Sequence, residues 1–401
     1  MHDLISILLV AVAVILSIPT AVLVTEIFAG LAPRADVKRD NAGIADIRIA
    51  VVVPAHDESA GILETLEDIR TQLKQRDRLL VVADNCSDDT ADVARRAGTE
   101  VIERHDSSRL GKGYALAFSI EHLTNDPPDI VVIVDADCRL GDGAIETLTG
   151  CAVKAGRPAQ ALYLMAAPKE SSINHAVSEF AWRIKNWLRP QGLANLGLPC
   201  QLMGTGMAFP WRVIRAANLA TGSIVEDIKL GLELASNGTP PVFCPDARVE
   251  SEFAASVGGA LSQRQRWEHG HLQMILTSVP RLLLSALARR NFALLVLVLD
   301  ISVPPLALFG GLLGLAWLIM ATAAVFGFGG AALEIGTGVL GFWAFALGAA
   351  WWRFGRDVLR SHELIQIPFY VLGKVSIYRN LLSGRVSSWA RTDRGHGDDE
   401  L

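Results

Sequence analysis

The sequence predicts an α/β domain held between membrane helices, and three observations carry that prediction. Apolar residues make up 51% of the 401 and charged ones only 20%, too apolar for an ordinary soluble chain yet charged enough for one soluble domain. The apolar residues gather near both ends in runs long enough to cross a bilayer. Between them, over residues 45–280, short β-type runs alternate with helical patterns, the signature of an α/β sheet rather than a bundle.

Residues 1–33 form the first predicted membrane helix. Leu4 to Leu31 is almost uniformly apolar, interrupted by Pro19 and Glu26, and long enough for a hydrocarbon core of roughly 30 Å. Met1-His2-Asp3 lacks the Lys/Arg region of a cleavable signal peptide. Arg34, Lys38 and Arg39 follow, so the positive-inside rule places the next segment in the cytoplasm.

Within that segment the expected strands are Ile47 to Val53, Leu79 to Ala83, Val101 to Ile102 and Ile130 to Val134. Ile62, Leu63, Leu66, Ile69 and Leu73 recur at helical spacing after a Ser59 cap. A second short helix, capped by Ser87 or Asp88, stops at Gly98.

Beyond Arg289-Arg290, residues 291–326 are apolar again, and Pro304-Pro305 divides them into an interfacial and a spanning piece. Residues 336–352 form a further span, followed by Arg353, Arg356 and Arg360, with Trp351-Trp352 at the level of an interfacial aromatic belt. Three spans are therefore expected. Residues 364–382 carry Lys374 and Arg379 and suit a helix lying in the interface, and 383–401 form a polar tail. Asp300 lies within an apolar run, and beside the two prolines it reads as a solvated or capping carboxylate.

Composition excludes some partners. A net charge of -5 without long basic runs gives no footprint for nucleic acid. Cys86, Cys138, Cys151, Cys200 and Cys244 show no zinc spacing and read as reduced thiols, and the nine histidines show no ligand spacing either.

The residues suited to chemistry follow the strands. The first strand ends in Ala55-His56-Asp57-Glu58, where a parallel sheet presents its ligand-binding edge, and no G-x-G-x-x-G follows it, which argues against a dinucleotide site. The second delivers Asp84 to Asp89, acceptors for a base and ribose or simply helix caps. Gly111-Lys112-Gly113 precedes a helix and is either a solvated turn or a diphosphate site. The fourth strand runs into Asp135-Ala136-Asp137. Two residues apart on an extended chain, these carboxylates share one side and favour a hard cation such as Mg2+ or Mn2+ between them.

Glu226-Asp227 opens an amphipathic helix, where the pair either complements the helix dipole or deprotonates a hydroxyl. Gln263-Arg264-Gln265-Arg266-Trp267 lies just before the membrane. It offers a guanidinium for a leaving diphosphate and an indole for a sugar, or else a basic anchor to lipid headgroups.

Taken in order, the Asp84 cluster, Asp135-x-Asp137, Glu226-Asp227 and Gln263-x-x-Arg266-Trp267 resemble the D, D-x-D, E-D and Q-x-x-R-W signature of membrane-bound family 2 glycosyltransferases. Cellulose, chitin, hyaluronan and poly-N-acetylglucosamine synthases belong to that family. The resemblance runs from Arg48 to Trp267 and implies a GT-A domain using a UDP-sugar.

By the same resemblance Asp57 and Asp84 contact the nucleoside, Lys112 the diphosphate and Asp135 the donor. Asp137 holds the metal, and Asp227 is the base with Glu226 supporting it. Gln263 and Arg266 close over the donor, while Trp267 and the loop bearing Gly204 and Thr205 meet the acceptor. That loop, Met203-Gly204-Thr205-Gly206, departs from the cellulose synthase version.

The implied reaction is inverting transfer to a growing surface polysaccharide, or a single addition to a polyprenyl-diphosphate-linked glycan. The setting would be the plasma (inner) membrane, with membrane lipids and an export protein as further partners. A reading of another class is a catalytically silent, nucleotide-binding subunit of a secretion complex.

Overall fold

The computed structural model describes residues 2–33, 46–168, 173–254 and 256–373. In chain order these form α1 (His2–Leu31), β1 (Ile49–Ala55), α2 (Ile62–Arg70), β2 (Arg78–Asp84), α3 (Thr90–Arg96), β3 (Glu100–Arg104), α4 (Lys112–Leu123), β4 (Ile130–Ile133) and β5 (Arg139–Leu140). There follow α5 (Ala144–Ala155), β6 (Ala159–Ala166), α6 (Ile173–Arg183), a π-helical turn (Ile184–Leu188), α7 (Arg189–Asn195), β7 (Met207–Pro210), α8 (Trp211–Ala216), α9 (Glu226–Ser236) and β8 (Val242–Glu252). The chain closes with α10 (Val257–Thr277), α11 (Val279–Ala288), α12 (Phe292–Ile301), α13 (Leu306–Val325), α14 (Gly330–Phe354) and α15 (Ile367–Gly373).

The eight strands make one mixed sheet in the order β3-β2-β1-β4-β7-β6-β8-β5. β1 pairs in parallel with β2 and β4, and β7 runs antiparallel to β4. Alternation of side chains explains why both faces are buried. Val51, Val53, Val81 and Val132 pack under α2, α3 and α5. Ala50, Val52, Leu80, Val131 and Ile133 pack under α4, α8 and α9. Strand order reverses between β1 and β4, which opens a crevice beyond their carboxyl ends, where open α/β sheets bind ligands. This is a GT-A-like α/β fold.

α1, α13 and α14 are long and apolar enough to cross a membrane, and α10 with α11 forms a pair bent by 49°. The outward surface of the three long helices is apolar: Ile15, Leu315 and Phe345 are well exposed. Their inner surface shares one core with the sheet domain, because Leu23 and Ile27 of α1 meet Ile184 and Leu188 of the π turn. α1 and α7 cross at contact distance. A Cβ at Gly30 would lie 2.2 Å from the Leu188 carbonyl oxygen, and one at Gly192 would lie 1.9 Å from that of Glu26.

Two local expectations are corrected. The helix over 62–70 begins at Gly61 with no side-chain cap, so Ser59 does not cap it; the Ser59 amide instead donates to Asp88. Asp300 is neither solvated nor capping: it is buried and paired with Arg189, which also binds Glu26. Arg34, Lys38 and Arg39, between α1 and β1, and residues 374–401, including Lys374 and Arg379, lie outside the described residues.

Candidate active site

The site forms where α4, β4, α9 and α10 converge. Gly111 takes φ +128, a conformation open to glycine, and turns the chain so that Lys112 heads α4 with its ammonium directed inward. That ammonium donates to the Asp135 carboxylate at the end of β4 and, at 2.8 Å, to the Gly204 carbonyl. The Asp135 amide donates to the Thr205 hydroxyl at 3.0 Å. Gly204 (φ +91) lies against α9: a Cβ there would stand 3.5 Å from Asp227 Oδ2 and 3.9 Å from Lys112 Nζ. Lys112, Asp135, Gly204 and Asp227 are therefore neighbours although the sequence spreads them over more than a hundred positions.

Electrostatics separates their roles. Burial opposes the charge on Lys112, but Asp135, Glu226 and Asp227 outweigh it and hold its pKa above the usual lysine value. Burial pushes the Glu226 carboxyl up, and the adjacent Asp227 charge pushes it further. Burial also raises Asp227, against the hydrogen bond its carboxylate accepts from the Ile228 amide and against the charges of Lys185 and Lys112. A raised carboxyl beside a cavity is the environment of a base that works near neutral pH.

The cavity, about 260 Å³, is lined by Lys112, Asp135, Gly204, Glu226, Asp227, Arg266 and Trp267 from the sequence-derived set. Its aromatic wall is built on Trp182. The Trp267 ring lies 5.0 Å from that of Trp182, whose indole N–H donates to the Tyr163 carbonyl at 3.1 Å. Tyr163, Trp182, Lys185, Arg189, Gln201, His271 and Asp300 also line it. Of these, the sequence places only His271 near the site, by its closeness to Trp267, with a helix facing the lipid headgroups as the equal alternative. Lys185 and Arg189, four apart, carried the signal of a shared helical face.

Other expected residues stand elsewhere. The Asp57 carboxylate accepts from the Ser87 amide (2.6 Å) and hydroxyl and from the Asp88 amide (3.2 Å), clasping the loop after β1 to the loop after β2. Burial would raise its pKa, but these donors hold it below the usual carboxylate value. Asp84 pairs with Arg104 at 2.6 Å, and its pKa stays raised because burial exceeds that offset. Gln263 is buried and lines a second cavity. Thr205 is buried behind Asp135, and Asp137 lies beside Cys138, whose thiol donates to it at 3.8 Å.

Two places could hold a cation. Asp57, Cys86 and Asp88 bring ligand atoms within 4.8 Å of one another. Asp57 and Asp88 spend oxygens there on backbone amides, which already stabilise their charges. At Asp135 and Asp137 burial and both carboxylates raise the Cys138 thiol well above its usual value. Sulfur therefore stays protonated, and the donors on offer are hard oxygens, the set that Mg2+ or Mn2+ takes.

The fold is shared with a solved glycosyltransferase. Mannosyltransferase PcManGT from Pyrobaculum calidifontis, solved with GDP-Man and Mn2+, matches with a TM-score of 0.55 at 19% identity, covering 94% of this chain and 100% of its own. Glucosyl-3-phosphoglycerate synthase from Mycobacterium tuberculosis, solved with Mn2+, UDP and glucosyl-3-phosphoglycerate, aligns more distantly: TM-score 0.35, 19% identity, 54% of this chain and 77% of that one. No curated protein matches. The family described as Glycosyltransferase like family 2 matches residues 47–270, more than half of the chain and the whole of the site up to Trp267. This chain belongs to glycosyltransferase family 2.

Proposed function

We propose that the chain is a multi-pass membrane enzyme that transfers a sugar, with inversion, from a nucleotide-diphosphate donor to a glycan acceptor, its catalytic domain facing the cytoplasm. One observation carries this reading: Lys112, Asp135, Asp227, Arg266 and Trp267 line a single cavity whose far wall, Arg189 and Asp300, is anchored to Glu26 of α1. Chemistry and membrane helices thus share one enclosure.

In this mechanism Asp227 takes the proton from the acceptor hydroxyl, and the freed oxygen attacks the anomeric carbon as the bond to the nucleoside diphosphate breaks. An α-linked donor then gives a β-linkage. Burial first, and then the Asp227 charge, raise the Glu226 carboxyl, and a proton held on Glu226 keeps the pair from carrying two charges. Lys112 and Arg266 face the diphosphate, and the indole faces of Trp267 and Trp182 suit a sugar ring. Asp137, with Asp135, would hold Mg2+ or Mn2+, which when bound neutralises charge on the leaving diphosphate. Asp57 and Asp84 would reach the nucleoside from the strand ends.

For the product, the Q-x-x-R-W motif supports extension of a surface polysaccharide such as those made by the cellulose and hyaluronan synthases. The continuity of the cavity with membrane-side residues favours a second reading, one addition to a lipid-linked glycan. Membranes containing the chain, incubated with a panel of UDP- and GDP-sugars, decide by product mass. A ladder from one donor supports the synthase and a single increment the lipid-linked reading. No nucleoside diphosphate release with any donor would overturn both in favour of a silent subunit.

A further inference from the structure

The catalytic cavity opens into a second one of about 200 Å³, and Trp182, Lys185, Arg189, Trp267 and His271 line both. Apart from these shared residues its wall is largely apolar, with Val303, Leu306, Trp343, Leu347 and Tyr370 among its members. Leu306 belongs to α13 and Trp343 and Leu347 to α14, two helices long and apolar enough to cross a membrane. A greasy passage therefore leads from those helices to the catalytic carboxylates.

The junction of the two cavities carries an unusual cation. The π turn places Ile184 and Leu188 in the core shared with α1, while Lys185 remains accessible on the cavity wall. Its Nζ stands 5.4 Å from the centroid of the Trp182 ring, and among the described residues it makes no hydrogen bond or ion pair. Arg189, one turn on, is already engaged by Glu26 and Asp300. The surrounding protein desolvates Lys185 enough to pull its pKa below the usual lysine value. The charges of Asp227, Asp300 and Glu268 oppose that pull without pairing with the ammonium, so an anion at the same spot would give it the partner it lacks.

We infer that this junction seats the phosphate head of a lipid-linked acceptor: Lys185 pairs with the phosphate, and the hydrocarbon chain lies in the apolar cavity between α6, α13 and α14. The head is thereby held at the mouth of the catalytic cavity, so that a sugar linked to it would extend toward Asp227. The inference rests on the transferase reading for its purpose and on the two cavities for its geometry. An isolated phosphate would fill only the polar end, whereas a free glycan would leave the apolar cavity empty.

The test uses the full chain in nanodiscs and follows tryptophan fluorescence, because Trp182 and Trp267 line both cavities. The probes are a long-chain polyprenyl phosphate, the matching polyprenol and inorganic phosphate. The polyprenyl phosphate should quench most tightly, the polyprenol about tenfold to a hundredfold more weakly, the worth of one charged hydrogen bond, and inorganic phosphate should not compete. Lys185→Met should bring the phosphate down to the affinity of the polyprenol, and Lys185→Arg should keep most of the difference. Ala307→Trp, which fills the apolar cavity, should weaken both lipids.

Unchanged affinity in Lys185→Met, or inorganic phosphate binding as well as the lipid, would overturn the inference. Binding is separable from chemistry here. Asp227→Asn should hold polyprenyl phosphate normally even where turnover is lost, so a failed transferase reading and a failed lipid site give different results.

Discussion

Gly204 lies so close to Asp227 that a single methyl group on it would touch the carboxylate, 3.5 Å from Oδ2, and would also approach Lys112 Nζ at 3.9 Å. Its φ of +91 is a second reason for glycine. Gly204→Ala should cost roughly 1 kcal/mol of stability through backbone strain. At 3.5 and 3.9 Å the methyl makes ordinary contact and displaces neither group, so kcat should change by less than about threefold. Steady-state turnover beside a thermal melt checks both, and a loss of kcat of about tenfold or more would show that the strain moves the Gly204 carbonyl off Lys112.

Lys112 holds Asp135 and the Gly204 carbonyl at once. Lys112→Met should weaken nucleoside diphosphate binding by about tenfold to a hundredfold, the loss of a charge-assisted contact, with Lys112→Arg recovering part of it. Calorimetry with UDP and GDP reads the change, and an unaltered affinity would remove Lys112 from the donor site.

The acid limb of the pH profile follows from the raised Asp227 carboxyl. A protonated Asp227 accepts no proton, so acidification abolishes activity, and a raised pKa means that loss begins above the ordinary aspartate value of about 3.9. Glu226→Gln keeps a neutral group beside Asp227, as the protonated Glu226 does, and should leave the limb in place, whereas Lys112→Met removes a cation that favours the charged Asp227 and should move it to higher pH. A wild-type limb at or below that ordinary value would contradict the assignment.

The Glu26–Arg189–Asp300 cluster joins α1, α7 and α12 through a 2.5 Å contact to Glu26 and a 2.6 Å contact to Asp300. Arg189→Met leaves two buried carboxylates facing each other and should cost about 3–5 kcal/mol. Adding Glu26→Gln and Asp300→Asn should restore much of that. Thermal unfolding in detergent compares the two, and equal stability of wild type and Arg189→Met would refute the role.

The strands β1, β2 and β4 were legible because apolar runs ending in acidic residues leave little choice of structure. The sequence also showed three of the carboxylates that reach the cavity, Asp135, Glu226 and Asp227. It hid what depends on distance along the chain. Arg189 lies 163 residues from Glu26 and 111 from Asp300, so Asp300 read as a solvated charge until the fold brought its partner. Asp57 and Asp84 sit at the expected strand ends, yet their oxygens are committed to Ser87, Asp88 and Arg104, pairings that no local spacing announces. Lys185 lies in a π turn on the cavity wall; its four-residue spacing from Arg189 marks a shared face, but the sequence carries no mark of the turn itself.

The role of Asp227 is the central claim, and turnover by Asp227→Asn in purified membranes tests it most directly. Asparagine keeps the size and the hydrogen bond from the Ile228 amide but cannot take a proton. Sugar transfer should fall by about a hundredfold or more while nucleoside diphosphate binding stays at the wild-type level. Normal transfer by Asp227→Asn would contradict the account.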